Sequence, residues 1–283
     1  MAGMDVTLYT LQDGTPVEIS YCKTGERLGR LFVGAGNICA GKSHMTRALG
    51  FPQFVEPGEG TNPWLPKFYS DPKRYGEVMQ AYILRQRFLM LMDALKLVLQ
   101  GHDVYMDRQV WDDSVFVEAN WKNGDYSQEG YEEYHELRNY LIEELQFPTA
   151  FVYLDVDVDE CLRRNRQMRQ NDCESGLTST YLKLLEEGYK RVEFEAKQKQ
   201  IPWFTLDWNH FGTLEKIIEA VEDCPHYTTE ARWFKKLQEP QWVTTMLSRL
   251  DAFFEAAKEK SDNEYLKPEK NVEVLQKPEQ VMI

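Results

Sequence analysis

The chain lacks the features that would place it in a membrane or among disulfide-stabilised secreted proteins. No run of about 18 apolar residues occurs, so no membrane span is predicted. Residues 1–15 lack the basic start and apolar core of a secretory signal. The five cysteines form no C-x-x-C pair, which argues against structural zinc or a disulfide framework. We therefore expect a cytoplasmic protein with reduced thiols and no membrane partner.

Positive charge is also scarce. The 33 Lys and Arg residues are outnumbered by 46 Asp and Glu residues, and the net charge is −13. Proteins that bind nucleic acid usually present a basic face, so no nucleic-acid partner is expected. The arginines between residues 163 and 169 are a local exception. An acidic enzyme that binds a polyphosphate would concentrate its positive charge at the site in this way.

One octapeptide carries a specific chemical signal. Residues 36–43 read G-N-I-C-A-G-K-S and lie between an apolar run and a helix-like segment, the context of a phosphate-binding loop. Its glycines let backbone N–H groups turn toward one anion, Lys42 would reach the outer phosphates, and the Ser43 hydroxyl would hold Mg²⁺. The residues expected to contact a bound nucleotide are Gly36, Asn37, Ile38, Cys39, Ala40, Gly41, Lys42, Ser43 and His44.

Predicted strands and helices alternate along the central part of the chain. Strands are expected at 31–35, 103–106, 151–156 and 203–206, and helices at 44–49, 74–99, 130–146, 158–169 and 179–199. This alternation predicts a parallel sheet with helices on both faces and a ligand site beyond the carboxyl ends of the strands. The predicted divisions are an N-terminal extension (1–30) with a hairpin from 5–10 and 16–22, a main domain (31–224), a helical extension (225–260) and a disordered tail (261–283).

Four further features accompany the loop. Glu56 in V-E-P could accept a proton from a hydroxyl group, although an exposed loop acid would look the same. Asp107-Arg108 follows a strand, where the acid could hold the water shell of Mg²⁺ and the arginine a phosphate. Gln80 is a lone amide on an otherwise apolar side of a predicted helix, and by itself it fits a surface glutamine better than a ligand-binding residue. The arginines from 163 to 169 are either a solvated helix face or a lid that closes over the transferred group.

In combination, these motifs resemble those of the deoxyribonucleoside kinase family. The order is G-N-I-C-A-G-K-S, V-E-P, a Trp, F-Y-S-D-P-K-R-Y with a Gln five residues after its last Tyr, D-R-Q-V-W-D-D, an arginine-rich helix, and a Glu before Y-L-K-L-L. The similarity covers roughly residues 31–211. It implies an α/β, three-layer P-loop kinase fold with a parallel sheet flanked by helices, an arginine-bearing lid, and extra N- and C-terminal segments.

The resemblance also implies roles for individual residues. Glu56 is similar to the catalytic base for the sugar 5′-hydroxyl, with Arg108 as its partner and Lys42 on the phosphates. The implied donor and metal sites add the lid residues Arg163, Arg166 and Arg169 and the magnesium ligands Ser43 and Asp107. The implied nucleoside site comprises Glu56, Trp64, Tyr69, Gln80, Arg87, Arg108, Asp113 and Glu174. Within it, Tyr69 and Glu174 would bind the 3′-hydroxyl, and Gln80 the base edge.

The resemblance also implies an enzymatic activity and an oligomeric state. The activity is transfer of a phosphoryl group from ATP, with Mg²⁺, to the 5′-hydroxyl of a 2′-deoxynucleoside. Because Arg87 and Asp113 match a charged pair, purine deoxynucleosides or deoxycytidine are expected in preference to thymidine, unless the two form an ordinary ion pair. A homodimer through the helices at 74–99 and 130–146 is also implied.

Two alternatives remain, a deoxynucleoside monophosphate kinase and a non-catalytic nucleotide-binding member of the same fold. The chain also departs from the family pattern: the spacing from Glu56 to Trp64 is longer than usual, and the N- and C-terminal extensions are unusual. Two further departures concern single residues. Gln109 stands where the family usually has Ser, and the lid has Asn165 and Asn171 among its arginines.

Overall fold

A computed structural model describes most of the chain. The described residues are 5–10, 16–20, 27–49, 53–54, 62–145, 147–169, 176–228, 232–237, 239 and 241–263. All statements below concern these residues.

A five-stranded parallel sheet forms the centre of the molecule. Its strands are β3 (Leu31–Gly36), β4 (Gln53–Phe54), β5 (Val104–Asp107), β6 (Ala150–Asp155) and β7 (Trp203–Asp207). They are arranged in the order β4-β5-β3-β6-β7, and every neighbouring pair is parallel. The central strand β3 is buried along its whole length, as expected for a parallel sheet covered on both faces. The carboxyl ends of β3 and β5 therefore meet at one edge.

Helices cover both faces of the sheet. They are α1 (Lys42–Leu49), α2 (Leu65–Ser70), α3 (Pro72–Leu99), α4 (Ser114–Asn123), α5 (Gln128–Glu144), α6 (Val158–Arg164), α7 (Ser179–Gln198), α8 (Leu214–Val221), α9 (Arg232–Leu237) and α10 (Trp242–Asn263). Two large apolar clusters result: Val104 and Met106 of β5 belong to one, and Tyr105 between them belongs to the other. This alternation follows from the pleat of the strand. The sheet between helical layers confirms the predicted fold class.

The long helix α3 has clear sequence signals at both ends. The Asp71 side chain accepts a hydrogen bond from the amide of Arg74, and Pro72 occupies the first helical position. After the helix, Gly101 adopts a φ of 88°, which is accessible to glycine at little cost. No described helix combines the length and the apolar composition needed to cross a bilayer.

The N-terminal prediction of a hairpin agrees with the structure. Strands β1 (Asp5–Thr10) and β2 (Pro16–Ser20) pair antiparallel. The predicted helix at 158–169 is divided: α6 ends at Arg164 and a π-helical turn continues over Asn165–Arg169.

The C-terminal prediction needs a correction. We expected a disordered tail from residue 261, but α10 continues to Asn263. The reason is that Ser261 is buried against α3, where its carbonyl accepts a hydrogen bond of 2.9 Å from Arg74 Nε. Residues 264–283 lie outside the described part of the chain.

Helix α10 also bears on the implied dimer interface. It packs along α3, so that Val78 and Ala81 of α3 form an apolar cluster with Ala257 of α10. Helix α5 presents acidic residues to solvent; these are Glu129, Glu132, Glu133, Glu136 and Glu143. Helix α10 thus covers part of α3, and a second copy placed on α5 would bring like charges together.

Candidate active site

The predicted phosphate loop forms at the end of β3. Three of its residues have positive φ angles: 141° at Gly36, 61° at Cys39 and 104° at Gly41. Lys42 begins α1, is 5% exposed, and donates hydrogen bonds of 2.9 Å from Nζ to the carbonyls of Gly36 and Asn37. The loop therefore surrounds a buried ammonium group, and the strand–loop–helix arrangement expected from the sequence is present.

Two oxygen-bearing side chains lie beside the loop. Ser43 Oγ donates a hydrogen bond of 3.3 Å to Oδ2 of Asp107, the last residue of β5. Oδ1 of Asp107 is buried and accepts no hydrogen bond from any described residue. Mg²⁺ prefers oxygen ligands and keeps several waters and substrate phosphates in its shell. The pair therefore fits the ion that the sequence assigned to it.

Arg108 connects the end of β5 to the phosphate loop. It has a φ of 63°, which is uncommon for a non-glycine residue. Its guanidinium group donates to the Tyr189 hydroxyl at 3.0 Å and to the Gly36 carbonyl at 3.3 Å. It also lies 4.7 Å from the centre of the Phe116 ring. Arg108 is thus buried and oriented toward the loop by three neighbours.

Tyr189 was not singled out in the sequence. Burial raises its pKa to about 12, while Arg108 opposes this rise, so the hydroxyl stays protonated at neutral pH. The sequence signal was its place on the apolar face of α7.

A buried polar cluster connects α3 with the segment after β5. Arg87 and Asp113 form an ion pair in which both side chains are 0% exposed. Oδ2 of Asp113 also accepts hydrogen bonds of 2.8 Å from Gln80 Nε2 and 2.6 Å from the Tyr134 hydroxyl. Oε1 of Gln80 is buried and has no partner among the described residues. The charged pair that the resemblance implied therefore exists, and Gln80 donates a hydrogen bond to its carboxylate.

Asp112 is a second buried carboxyl beside this cluster, and sequence reasoning assigned it no role. Its Oδ1 accepts a hydrogen bond of 2.8 Å from the amide of Gln109. Burial raises its pKa from 3.8 to about 6, against the opposing effects of Arg87, the Gln109 amide and Arg108. A carboxyl with this pKa changes its charge near neutral pH.

The two aromatic residues predicted for the nucleoside site lie near the start of α3. Trp64 precedes α2 and contacts Tyr75, with ring centres 6.4 Å apart. Tyr69 packs against Phe68 at 5.3 Å. Both belong to a small apolar cluster that includes Met79 of α3. They are therefore adjacent to the helix that carries Gln80 and Arg87.

The arginine-rich segment divides into two kinds of residue. Arg163 is about half exposed and pairs with Glu160, whose pKa it lowers to about 2. Arg166 is exposed. In contrast, Arg164 is 3% exposed and donates to the carbonyls of Ala40 and Trp208, both at 2.7 Å. Arg164 thus ties α6 to the phosphate loop, while Arg163 and Arg166 reach the solvent.

The remaining predicted residues are as follows. His44 is exposed on α1 with its ring 5.1 Å from Phe211. The side chain of Arg169 is not described, and Glu56 and Glu174 lie outside the described residues. The structure therefore brings together Lys42, Ser43, Asp107 and Arg108 at one edge of the sheet, next to the cluster around Asp113.

A family model described as "Deoxynucleoside kinase" matches residues 32–224. A deoxyguanosine kinase of Dictyostelium discoideum is 35% identical over 199 residues, which cover 69% of each chain. The mitochondrial NADH dehydrogenase [ubiquinone] 1 alpha subcomplex subunit 10 of Bos taurus is 30% identical and covers 66% of this chain and 62% of its own.

A solved structure supports the fold. The deoxyadenosine kinase of M. mycoides with bound dATP superimposes with a TM-score of 0.59 and covers 69% of this chain and 100% of its own. Its sequence identity is 24%, so the likeness concerns the fold alone. Helices α9 and α10 lie outside the family match.

Proposed function

This chain belongs to the deoxynucleoside kinase family, and from that premise we propose which residues carry the transfer of a phosphoryl group from ATP to a deoxynucleoside. One observation carries the proposal. Arg108, at the end of β5, donates to the carbonyl of Gly36 in the phosphate loop and lies beside the cluster around Asp113. The donor and acceptor sites are thus joined through one buried guanidinium group.

On the donor side, the loop amides and Lys42 bind the phosphates of ATP. Lys42 already has its ammonium inside the loop, so little reorganisation is needed when an anion arrives. Ser43 and Asp107 would hold Mg²⁺, which supplies charge neutralisation to the phosphates when bound. Arg163, Arg166 and Arg169 approach the transferred group from the lid segment.

On the acceptor side, Glu56 accepts the proton of the 5′-hydroxyl, and Arg108 orients Glu56 and balances its charge. Tyr69 and Glu174 bind the 3′-hydroxyl. Trp64 forms a wall of the base pocket, whose polar contacts come from Gln80, Arg87 and Asp113. Positioning of this kind supplies much of the rate enhancement in phosphoryl transfer.

The buried cluster favours a base with an exocyclic amino group. Asp113 already accepts from Gln80, Arg87 and Tyr134, and Gln80 leaves one carbonyl oxygen for a donor on the base. Adenine and cytosine present an amino group at this edge, whereas thymine presents a carbonyl oxygen and a methyl group. Guanine also carries an exocyclic amino group, so we rank the purine deoxynucleosides and deoxycytidine together above thymidine.

The central experiment is Glu56→Gln. The variant should bind deoxynucleoside as the wild type does and lose at least about 100-fold in kcat, because the amide cannot accept the proton. Binding is measured by calorimetry and turnover by ADP release with four deoxynucleosides. Full turnover in this variant would remove Glu56 from the mechanism. Lys42→Ala serves as the control that abolishes use of ATP.

Two alternatives are tested in the same assay. A deoxynucleoside monophosphate kinase would release ADP only with monophosphates, which the carboxylate of Glu56 would repel. A non-catalytic role is favoured by one observation, the similarity to the Bos taurus NADH dehydrogenase subunit. It predicts ATP binding without turnover on any acceptor. The hydrogen bonds of Lys42 and Arg108 to the phosphate loop support a catalytic role, so we rank the non-catalytic role second.

The homodimer and the cytoplasmic location remain our predictions. Light scattering after size-exclusion chromatography gives the mass in solution. Because α10 covers α3, we propose that a homodimer uses a surface other than the α3 face.

A fluorescent fusion of the full chain tests the cytoplasmic location, and a mitochondrial signal would overturn this prediction.

A further inference from the structure

A helix outside the family match lies behind the proposed nucleoside pocket. The match ends at residue 224, and α10 begins at Trp242. Helix α10 packs along α3, the helix that carries Gln80 and Arg87. Any group on α10 that touches a pocket residue is thus an addition to the matched domain.

Phe254 of α10 supports the predicted wall of the pocket. Its ring meets that of Trp64 edge-on, with centres 6.0 Å apart and planes at 78°. It also lies 5.9 Å from the ring of Tyr82 on α3. Edge-to-face contacts of this kind favour one relative orientation of the two rings. The position of Trp64 therefore depends on a residue of the C-terminal helix.

Phe253, the preceding residue, supports the specificity cluster from another side. Its ring lies 6.5 Å from that of Tyr134 on α5. Tyr134 is 0% exposed, and its hydroxyl donates the hydrogen bond of 2.6 Å to Asp113. Burial and the neighbouring Asp113 raise the pKa of Tyr134, so the hydroxyl remains a donor. One turn of α10 thus backs both Trp64 and Asp113.

Polar contacts fix where α10 sits along α3. Asp251 pairs with Arg85 at 2.5 Å, and Lys260 pairs with Glu77 at 2.9 Å. The carbonyl of Ser261 accepts from Arg74 at 2.9 Å. These contacts lie on both sides of Phe253 and Phe254, so the two rings are held in register with α3.

We propose that α10 is a positioning element of the nucleoside site: Phe254 orients Trp64, and Phe253 holds Tyr134, which in turn orients Asp113. The inference rests on the proposed function, because it requires that Trp64 and Asp113 face the base. It assigns a role to the C-terminal extension that the matched kinase domain does not contain.

The first test is Tyr134→Phe, which removes one hydroxyl and keeps the ring. The KM for the preferred deoxynucleoside should rise roughly tenfold, because a hydrogen bond to a buried carboxylate is lost. The KM for ATP should stay unchanged and kcat should change less than about twofold. The ratio of kcat/KM among the four deoxynucleosides should also change, which a purely structural role would not predict.

The second test compares Phe254→Ala with Leu250→Ala. Leu250 is on the same helix, is 0% exposed and belongs to a large apolar cluster, so its truncation costs at least as much stability. We expect the deoxynucleoside KM to rise about fivefold in Phe254→Ala and to stay within about twofold in Leu250→Ala. Phe254→Tyr keeps the ring and should restore the wild-type KM.

The outcomes separate the two proposals. If wild-type protein releases no ADP with any deoxynucleoside, the proposed function fails. If the wild type is active but Tyr134→Phe and Phe254→Ala keep its KM and base preference, only the role of α10 is overturned. The role of α10 would also be overturned if the deoxynucleoside KM rose in proportion to the loss in melting temperature, with the largest rise in Leu250→Ala.

Discussion

The buried carboxyl of Asp112 makes a quantitative prediction about stability. Its side chain is 0% exposed, and Oδ2 has no hydrogen-bond partner among the described residues. Burial raises its pKa from 3.8 to about 6, although Arg87, the Gln109 amide and Arg108 favour the charged form and only Asp113 adds to the rise. The favourable contacts therefore do not fully offset the loss of hydration.

The sign of the pH dependence follows from this shift. Below pH 3.8 the carboxyl is protonated in both the folded and the unfolded chain, and it carries no penalty. Between pH 3.8 and about 6 the folded chain holds a proton that the unfolded chain has lost, so stability falls as the pH rises. Above this range the penalty is constant at roughly 3 kcal/mol.

The perturbation is Asp112→Asn, which keeps the shape and the acceptor for the Gln109 amide but removes the charge. We expect the variant to exceed the wild type in unfolding free energy by about 3 kcal/mol at pH 8 and by about 1 kcal/mol at pH 4.5. Urea unfolding at both pH values measures this difference. Asp159→Asn, at an exposed position on α6, is the control. An equal gap at both pH values would refute the reasoning, since Asp112 would then be charged throughout.

Two further predictions concern the phosphate loop and its strand. Arg164→Lys should raise the KM for ATP about tenfold, because a lysine cannot reach the Ala40 and Trp208 carbonyls together; an unchanged KM would show that this tie is dispensable. Gly34→Ala should lower the melting temperature by about 10 °C or more, because the new Cβ would lie 1.6 Å from the hydroxyl of buried Tyr105; a calorimetric scan that shows no shift would contradict this.

The sequence predicted the local parts of the site well. The phosphate loop is continuous in the chain, so its glycine backbone and the side chains of Lys42 and Ser43 come from eight neighbouring residues. Gln80 and Arg87 lie seven residues apart and so share one face of α3, while their common partner Asp113 was implied by the family resemblance. Such features depend on helical periodicity and on motif chemistry, both of which are readable without the fold.

Features that depend on the packing of distant segments were missed. Asp112 and Tyr134 owe their burial to the way α3, α5 and the turn after β5 meet. However, the sequence could have shown that Arg164 is buried and Arg163 exposed. Apolar residues at 158, 161 and 162 place the buried face of α6 so that the next turn buries 164 and 165 rather than 163. The positions of the apolar residues around the helix therefore indicate which arginine is buried.

The sequence did not predict that α10 packs on α3, and the reason applies to helices in general. An apolar stripe on a helix shows that the helix is covered, but not what covers it. Here the cover is α3, and the contact carries the C-terminal segment to the proposed base pocket.

A chain that buries the charges of Arg87, Asp112 and Asp113 within one cluster gives up stability that apolar residues would supply. Retaining these groups is useful if a ligand completes their hydrogen bonds, because a base that leaves them unpaired is then rejected more strongly than any apolar pocket could achieve. On this reasoning, the buried carbonyl oxygen of Gln80 and the carboxylate of Asp113 together recognise the base of the nucleoside. The position of the Asp113 carboxylate depends on the hydrogen bond from Tyr134. The ring of Tyr134 in turn contacts Phe253 of α10, which lies outside the matched domain. From the proposed site we therefore expect substrate choice to depend on the matched domain and on α10 together.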